Sequence, residues 1–251
     1  MPGARTLSID CGGGGIKGCV LDTSGTLLAP PVRRPTPYPL PPERLLGLIA
    51  GIADELPEAD RATVGMPGMI RHGVVVHTPH YITRSGPRTR QLPELEKAWQ
   101  GFDMAAAIRA RLGLPAVVLN DAEVHGAGVV DGIGCELVLT LGTGLGSALF
   151  DDGALAPHLE LSHAQVRWGL TYDGYLGEHE RLRLGDSHWS RRVRRAIDSL
   201  HPVVRWDRLY LGGGNGQRVV ASTLARLGPV TIIPNSAALL GGVRVWSLPR
   251  A

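Results

Sequence analysis

Asp10 and Lys17 bracket four consecutive glycines in the run Ile9-Asp10-Cys11-Gly12-Gly13-Gly14-Gly15-Ile16-Lys17-Gly18. Glycine loses more backbone freedom on folding than any other residue, so such a run belongs where backbone must approach something closely. Phosphate oxygens are the usual partner of bare amides. A carboxylate before the run and an ammonium after it suit a metal-bound polyphosphate. A second run, Thr140-Leu141-Gly142-Thr143-Gly144-Leu145-Gly146, follows an apolar stretch, at the strand end where α/β sheets bind ligands. A third, Gly212-Gly213-Gly214-Asn215-Gly216, could offer amides to phosphate or adenosine, or simply lead into a helix.

Asn120-Asp121 follows the apolar stretch 116–119. Asn and Asp are leading helix N-cap residues, so a structural role accounts for the pair locally. A carboxylate at a strand's end could also take the proton of a hydroxyl that attacks phosphorus. The two roles coexist if Asn120 caps and Asp121 reacts. Glu160-Leu161-Ser162-His163 places an acid and an imidazole three apart, able to grip adjacent sugar hydroxyls. The same pattern is common among surface polar residues, and nearby His158 has no assigned role.

These residues need elements to hold them. Gly13, Gly15 and Gly18 match the dinucleotide spacing, but a helix must then follow. Instead residues 18–21 are apolar, Asp22-Thr23-Ser24-Gly25 reads as a turn, and 26–28 resume the strand pattern. No Gly-Lys-Ser/Thr follows either, which excludes a Walker loop. A glycine hairpin between two strands is what remains. Beyond it, strands and helices alternate as in an α/β protein with a largely parallel sheet.

Residues 30–42 read as a Pro-rich surface loop, 43–56 as a helix, and 63–66 and 73–76 as short strands. Residues 78–100 read as a flap. Asp103 caps a helix to 112, stopped by Gly113 and Pro115. Strands are predicted at 136–141, 147–150 and 209–211, a helix over 219–227, and a closing helix over 235–245. Two domains are expected, 1–115 and 116–234, with residues 235–251 packed on the first and the active site between the domains.

The 251 residues suffice for a sizeable core, and 43% hydrophobic content is ordinary for a globular protein. A net charge of +3 is too small for non-specific nucleic-acid binding. No apolar run approaches the ~20 residues of a membrane span, and no hydrophobic leader is evident. A cytoplasmic protein without membrane or nucleic-acid partners is therefore expected. Cys11, Cys19 and Cys135 fit neither a disulfide framework nor a zinc site. Arg181, Arg183, Arg191, Arg192, Arg194 and Arg195 crowd one predicted helix. They are a solvated face or a track for a long phosphate chain, which guanidinium groups bind in bidentate fashion.

Assembled, these motifs resemble the ROK family of sugar kinases, and within it the polyphosphate glucokinases. The resemblance covers the first glycine run, Met66-Pro67-Gly68, His72-Gly73-Val74-Val75, Leu119-Asn120-Asp121-Ala122, residues 140–148 and 209–214, Asn235-Ser236-Ala237 and Gly241-Gly242. It implies an actin-like (ribonuclease H-like) two-domain fold with duplicated strand–glycine-hairpin–strand units. Asp121 would be the base for the 6-hydroxyl of glucose or a close hexose. Gly68, Asn120, Glu160 and His163 would hold the sugar. Asp10 would position Mg2+, while Gly12–Gly15, Lys17, Thr140, Gly142, Thr143, Gly144 and Gly212–Gly214 would hold polyphosphate or ATP. A homodimer is implied as well. The family usually carries Ser or Thr at Gly14, Gly at Ser162 and an acid at Gln165. Its sugar-contacting Asn, expected after the strand at 73–76, is not evident, and His80-Tyr81 stands in that neighbourhood. The rival readings are a ROK-type kinase for mannose, an amino sugar or another metabolite, and a weakly catalytic sugar sensor.

Overall fold

The computed structural model describes residues 3–167, 169–234 and 237–249. The chain divides into two compact units, Met1–Gly128 with Ala238–Ser247, and Val129–Ala237 with Leu248–Ala251.

The first unit begins with β1 (Thr6–Cys11), β2 (Ile16–Leu21), β3 (Val32–Arg34) and α1 (Pro42–Ala53). It continues through β4 (Arg61–Met66), β5 (Met69–Arg71), β6 (Val74–His77), α2 (Pro93–Trp99), α3 (Met104–Leu112), β7 (Ala116–Asn120) and α4 (Asp121–Ala127). Its main sheet has the order β3-β2-β1-β4-β7, antiparallel from β1 through β3 and parallel from β1 through β7. The sheet is thus mixed, not largely parallel, because the tight glycine hairpin can only join antiparallel strands. Leu45, Leu46, Ile49 and Ile52 line the buried face of α1 at helical spacing. Gly18 lets β2 lie against this face, since a Cβ there would stand 2.3 Å from the Ile52 side chain.

The domain boundary expected at 115/116 moves to Gly128. β7 belongs to the first sheet, pairing with β4 from Ala62↔Ala116 to Met66↔Asn120. The stretch 78–100 is not all loop: Pro93 starts α2, and Trp99 at its end is buried with its indole N–H donating to the Leu40 carbonyl at 2.8 Å.

The second unit holds β8 (Cys135–Leu141), β9 (Leu145–Asp151), β10 (Ala154–Leu155), a 3-10 turn at Leu161–His163, β11 (Gln165–Arg167), β12 (Leu170–Thr171) and α5 (Tyr172–Leu176). Then come α6 (Glu178–Val204), β13 (Arg208–Gly212), α7 (Ala221–Leu224) and β14 (Val230–Ile232). The sheet order β10-β9-β8-β13-β14 repeats that of the first unit, with the same antiparallel and parallel halves. α6 breaks at Gly185, whose backbone is non-helical. Trp189, Val193, Ile197 and Leu200 form its buried stripe. The helix expected over 219–227 shrinks to the four residues of α7 after a 3-10 turn at Gly216–Arg218.

The closing helix is α8 (Ala237–Arg244); Asn235 and Ser236 lie outside the described residues. Two glycines let it dock on the first unit. A Cβ on Gly241 would sit 1.8 Å from the Val124 carbonyl oxygen, and one on Gly242 would sit 2.2 Å from Ser8 Oγ. Thr63 Oγ1 donates to the Gly242 carbonyl at 2.6 Å and accepts from the Trp246 indole at 2.9 Å.

Candidate active site

The first glycine run forms the turn between β1 and β2, closed by Gly12 N–H donating to Gly15 O at 2.9 Å. Asp10 lies directly across from Lys17, and Lys17 across from Arg33 on β3. Asp10 is open to solvent on one side and hemmed by protein on the others. That crowding raises its carboxyl pKa, while the charges of Lys17 and then Arg33 oppose the rise.

At the end of β7, Asn120 is buried and hydrogen-bonded through both its amide oxygen and its amide nitrogen. Its Oδ1 accepts from Ala122 N at 2.8 Å, and its Nδ2 donates to the Gly68 carbonyl at 2.8 Å. Asn120 N–H in turn donates to the Glu123 carboxylate at 2.8 Å, completing a capping box. Gly68 has φ 102°, and a Cβ there would meet the His77 carbonyl at 2.2 Å, so only glycine fits. Asn120 thereby fixes the Gly68 turn beside the start of α4. Asp121 follows, half-buried, with its Oδ1 accepting from Ala122 N at 2.9 Å. Asp10 and Asp121 sit at the carboxyl ends of parallel strands separated only by β4, roughly 10 Å apart by strand spacing. Burial first, then the Asp10 and Asp121 carboxylates, push the Cys11 thiol upward in pKa; the Tyr81 phenol is pushed up by burial, then by Cys11 and Tyr38, and last by the two carboxylates. Among the described residues, the buried Tyr81 hydroxyl has no hydrogen-bond partner.

In the second unit, the run at 142–144 turns between β8 and β9 and is braced by α5. Leu145 N–H donates to Asp173 Oδ1 at 2.7 Å, and a Cβ on Gly144 would stand 2.2 Å from that oxygen. Gly212 pairs with Thr140 across β13 and β8. Gly213, at φ 77°, passes so close to Leu141 that a Cβ would sit 2.4 Å from its carbonyl oxygen. The two glycine segments predicted from sequence are therefore neighbours. Asn215 Nδ2 donates to the Gly142 carbonyl at 3.2 Å.

Glu160 precedes the 3-10 turn that carries Ser162 and exposed His163. His158 Nε2 lies 3.5 Å from Glu160 Oε2, and Ser162 Oγ donates to Glu160 Oε1 at 2.5 Å. Burial tends to raise the Glu160 pKa, but the hydrogen bonds from His158 and Ser162, with the charges of His158 and His163, hold it below its ordinary value. Sequence reading names His158 and Tyr81 without giving them a role, and does not name Arg33 or Asp173. His158 alone had a readable signal, alternating with Glu160 and Ser162.

Three of the six clustered arginines are paired with carboxylates. Arg183 and Arg192 both bind Glu180, Arg181 binds Asp186 and Glu178, and Arg192 also stacks on Tyr175 at 4.5 Å. Arg191 and Arg195 remain on the exposed face. Among the described residues, no three His, Cys, Asp or Glu side chains converge as a metal site. Magnesium delivered with a phosphate chain keeps several waters and needs only one or two carboxylates, which accessible Asp10 can supply. No described helix is long and apolar enough to cross a membrane.

Two sheets of identical order, each with a glycine hairpin between its first two strands, define the actin-like architecture of sugar kinases. The chain belongs to the ROK family, whose model matches residues 6–158. It is 29% identical over 240 aligned positions to the polyphosphate glucokinase of Mycobacterium tuberculosis (strain CDC 1551 / Oshkosh), covering 86% of this chain and 81% of that protein. Among solved structures, the inorganic polyphosphate/ATP-glucomannokinase of Arthrobacter sp. strain KM superposes with a TM-score of 0.78 at 30% identity, covering 97% of this chain and 98% of the other. A ROK glucokinase from Streptomyces griseus, solved with glucose and AMPPNP, shares the fold at 17% identity and a TM-score of 0.71, covering 96% and 98%.

Proposed function

We propose that this protein transfers a phosphoryl group from inorganic polyphosphate or ATP to the 6-hydroxyl of glucose or a close hexose. One observation carries the reading. Asp10 and Asp121 stand at the carboxyl ends of two parallel strands of one sheet, β1 and β7, with only β4 between them, the first beside the glycine hairpin, the second beside the Gly68 turn. Donor-binding and acceptor-activating groups are thus set on one rigid frame. The names of the M. tuberculosis and Arthrobacter relatives support both the donor and the acceptor class.

In the proposed step, Asp121 accepts the hydroxyl proton as the sugar oxygen attacks the terminal phosphorus. The bond from phosphorus to the bridging oxygen breaks, leaving ADP or a phosphate chain shorter by one unit. Lys17 and the hairpin amides bear the donor's charge, and Glu160 with His163 holds sugar hydroxyls. Asp10 would hold Mg2+, which neutralises phosphate charge when bound. The second and third glycine segments are proposed to bind donor phosphates as well. Placement and charge neutralisation supply the rate, since metaphosphate-like transfer asks little covalent chemistry of the protein. The protein is proposed to act in the cytoplasm as a homodimer.

Mannose is the second acceptor to test, because the Arthrobacter relative is a glucomannokinase. A screen crossing ATP and polyphosphate with glucose, mannose and amino sugars tests the reading. Sugar 6-phosphate should form with at least one donor. No transfer to any hexose, with sugar still bound, would favour a sensor.

A further inference from the structure

We propose that Arg33 contacts the donor phosphates, completing with Lys17 and the Gly13 and Gly14 amides an anion cradle that Thr36 and Tyr38 hold in shape. The inference rests on the phosphoryl-transfer reading above and adds residues from a segment that sequence assigned to surface loop.

β3 alternates its side chains, so its two arginines face opposite ways. Arg34 turns to Glu55 and pairs with it. Arg33 turns to the hairpin: a Cβ placed on Gly15 would stand 3.1 Å from Arg33 Nε and 3.3 Å from Nη2. The guanidinium thus runs along the backbone of the glycine turn, one strand over from Lys17. It is solvent-exposed, and among the described residues no carboxylate lies within ion-pair distance of it. Arg181, Arg183, Arg192 and Arg208, by contrast, are all paired. A planar, permanently charged fork suits phosphate recognition better than most neighbours would.

The hydroxyls supply a second, independent observation. Thr36 Oγ1 donates to the Gly12 carbonyl at 2.7 Å, and Tyr38 OH donates to the Gly13 carbonyl at 2.8 Å. In a trans peptide the C=O and the following N–H point in opposite directions. Drawing those two carbonyls toward residues 36–38 therefore turns the Gly13 and Gly14 N–H groups the other way. Neither amide has an acceptor among the described residues. A Cβ on exposed Gly14 would meet nothing within 4 Å, so the turn is open there. The other flank is walled: at Gly13 a Cβ would meet His80 and Pro87 at 3.1 Å. Two bare amides beside two cations, with the competing carbonyls tied back, form a preorganised anion site.

The test compares Arg33→Gln, Arg33→Lys and Tyr38→Phe, with Arg34→Gln as a control on the opposite face. Binding of inorganic tripolyphosphate is measured by calorimetry, and KM for donor and for glucose are measured separately. Arg33→Gln should weaken tripolyphosphate about tenfold, the low end for a charge-assisted hydrogen bond. Donor KM should rise in parallel while glucose KM holds, and the loss should shrink at high salt. Arg33→Lys should recover part of it. Tyr38→Phe should weaken the donor but not glucose, and Arg34→Gln should change neither. Unchanged tripolyphosphate affinity in folded Arg33→Gln overturns the proposal. Arg33-dependent tripolyphosphate binding without transfer to any hexose would uphold the cradle and sink the kinase reading instead.

Discussion

Ser162 Oγ donates to Glu160 Oε1 at 2.5 Å, while His158 approaches the other carboxylate oxygen at 3.5 Å. The hydroxyl stands where relatives in the family usually have glycine, so this chain orients its proposed sugar-binding carboxylate with an extra donor. Ser162→Ala should leave Glu160 freer to rotate and raise glucose KM several-fold, with a smaller effect on kcat. The pH response should move as well. The two donors favour the ionised carboxylate, and losing one shifts the Glu160 pKa upward. Glucose affinity, measured by titration from pH 3 to 7, should therefore fail at a higher pH in the variant than in the parent.

Asp121→Asn separates catalysis from folding. The Asn side-chain oxygen can still accept from Ala122 N, and the Asn120–Glu123 capping box does not depend on residue 121. What disappears is the ability to take the hydroxyl proton. Turnover should drop by about 10²–10⁴, the usual worth of a general base. Glucose binding by calorimetry should persist within a few-fold. Near-parental turnover would remove Asp121 from the proposed mechanism.

The local signals in the sequence were the dependable ones. Asp103 caps α3 and Gly113 ends it in the left-handed conformation, both from residue type alone. Asn120 caps α4, and both glycine hairpins stand between strands. Non-local pairing was not legible. β7 reads as a buried strand, but nothing within 116–120 says that it joins the first sheet rather than the second. Arg33, Thr36 and Tyr38 reach the glycine turn only because β3 folds back on β2, about twenty residues away in sequence. α2 carries helix-start signals in Pro93 at its first position, Glu94 and Glu96, yet its residues read as part of the flap. The Arg- and Pro-rich residues before it masked them.

Glu180 gives a stability test on the arginine helix. Its hydrogen bonds to Arg183, then the charges of Arg183 and Arg192, pull its pKa down to about 2 from 4.5. A carboxylate whose folded pKa lies below the unfolded value stabilises the protein above the unfolded value, and loses that effect as pH falls through the folded one. Glu180→Gln should therefore lower Tm at pH 7, and the difference should fade between pH 4.5 and about 2. Donor KM should stay unchanged if these arginines serve the helix rather than a phosphate track.

Gly241→Ala tests the docking of the closing helix. A methyl group there would stand 1.8 Å from the Val124 carbonyl oxygen, which is backbone and cannot swing aside. α8 must lift from α4, straining the Thr63 bonds to Gly242 and Trp246. Overpacking of this kind costs about 3 kcal/mol, roughly 6–12 °C in Tm for a chain of this size. Gly47, exposed on α1 with nothing near its absent Cβ, is the control, and Gly47→Ala should not lower Tm.

Gly14 is where the family's hydroxyl is missing, and the geometry says it can be restored. A Cβ at this position meets no atom within 4 Å, whereas one at Gly13 would press on His80 and Pro87. The hairpin is held by Thr36 and Tyr38 through the carbonyls of Gly12 and Gly13, neither of which a side chain at 14 disturbs. Gly14→Thr should therefore fold, and its hydroxyl would add one hydrogen bond to a donor phosphate. One such bond to a charged group contributes about 1.5 kcal/mol, so donor KM should fall roughly tenfold at constant glucose KM. Gly13→Ala should do the reverse, displacing the residues that wall the turn and raising donor KM. If both substitutions leave donor KM untouched, the glycine turn does not bind the donor.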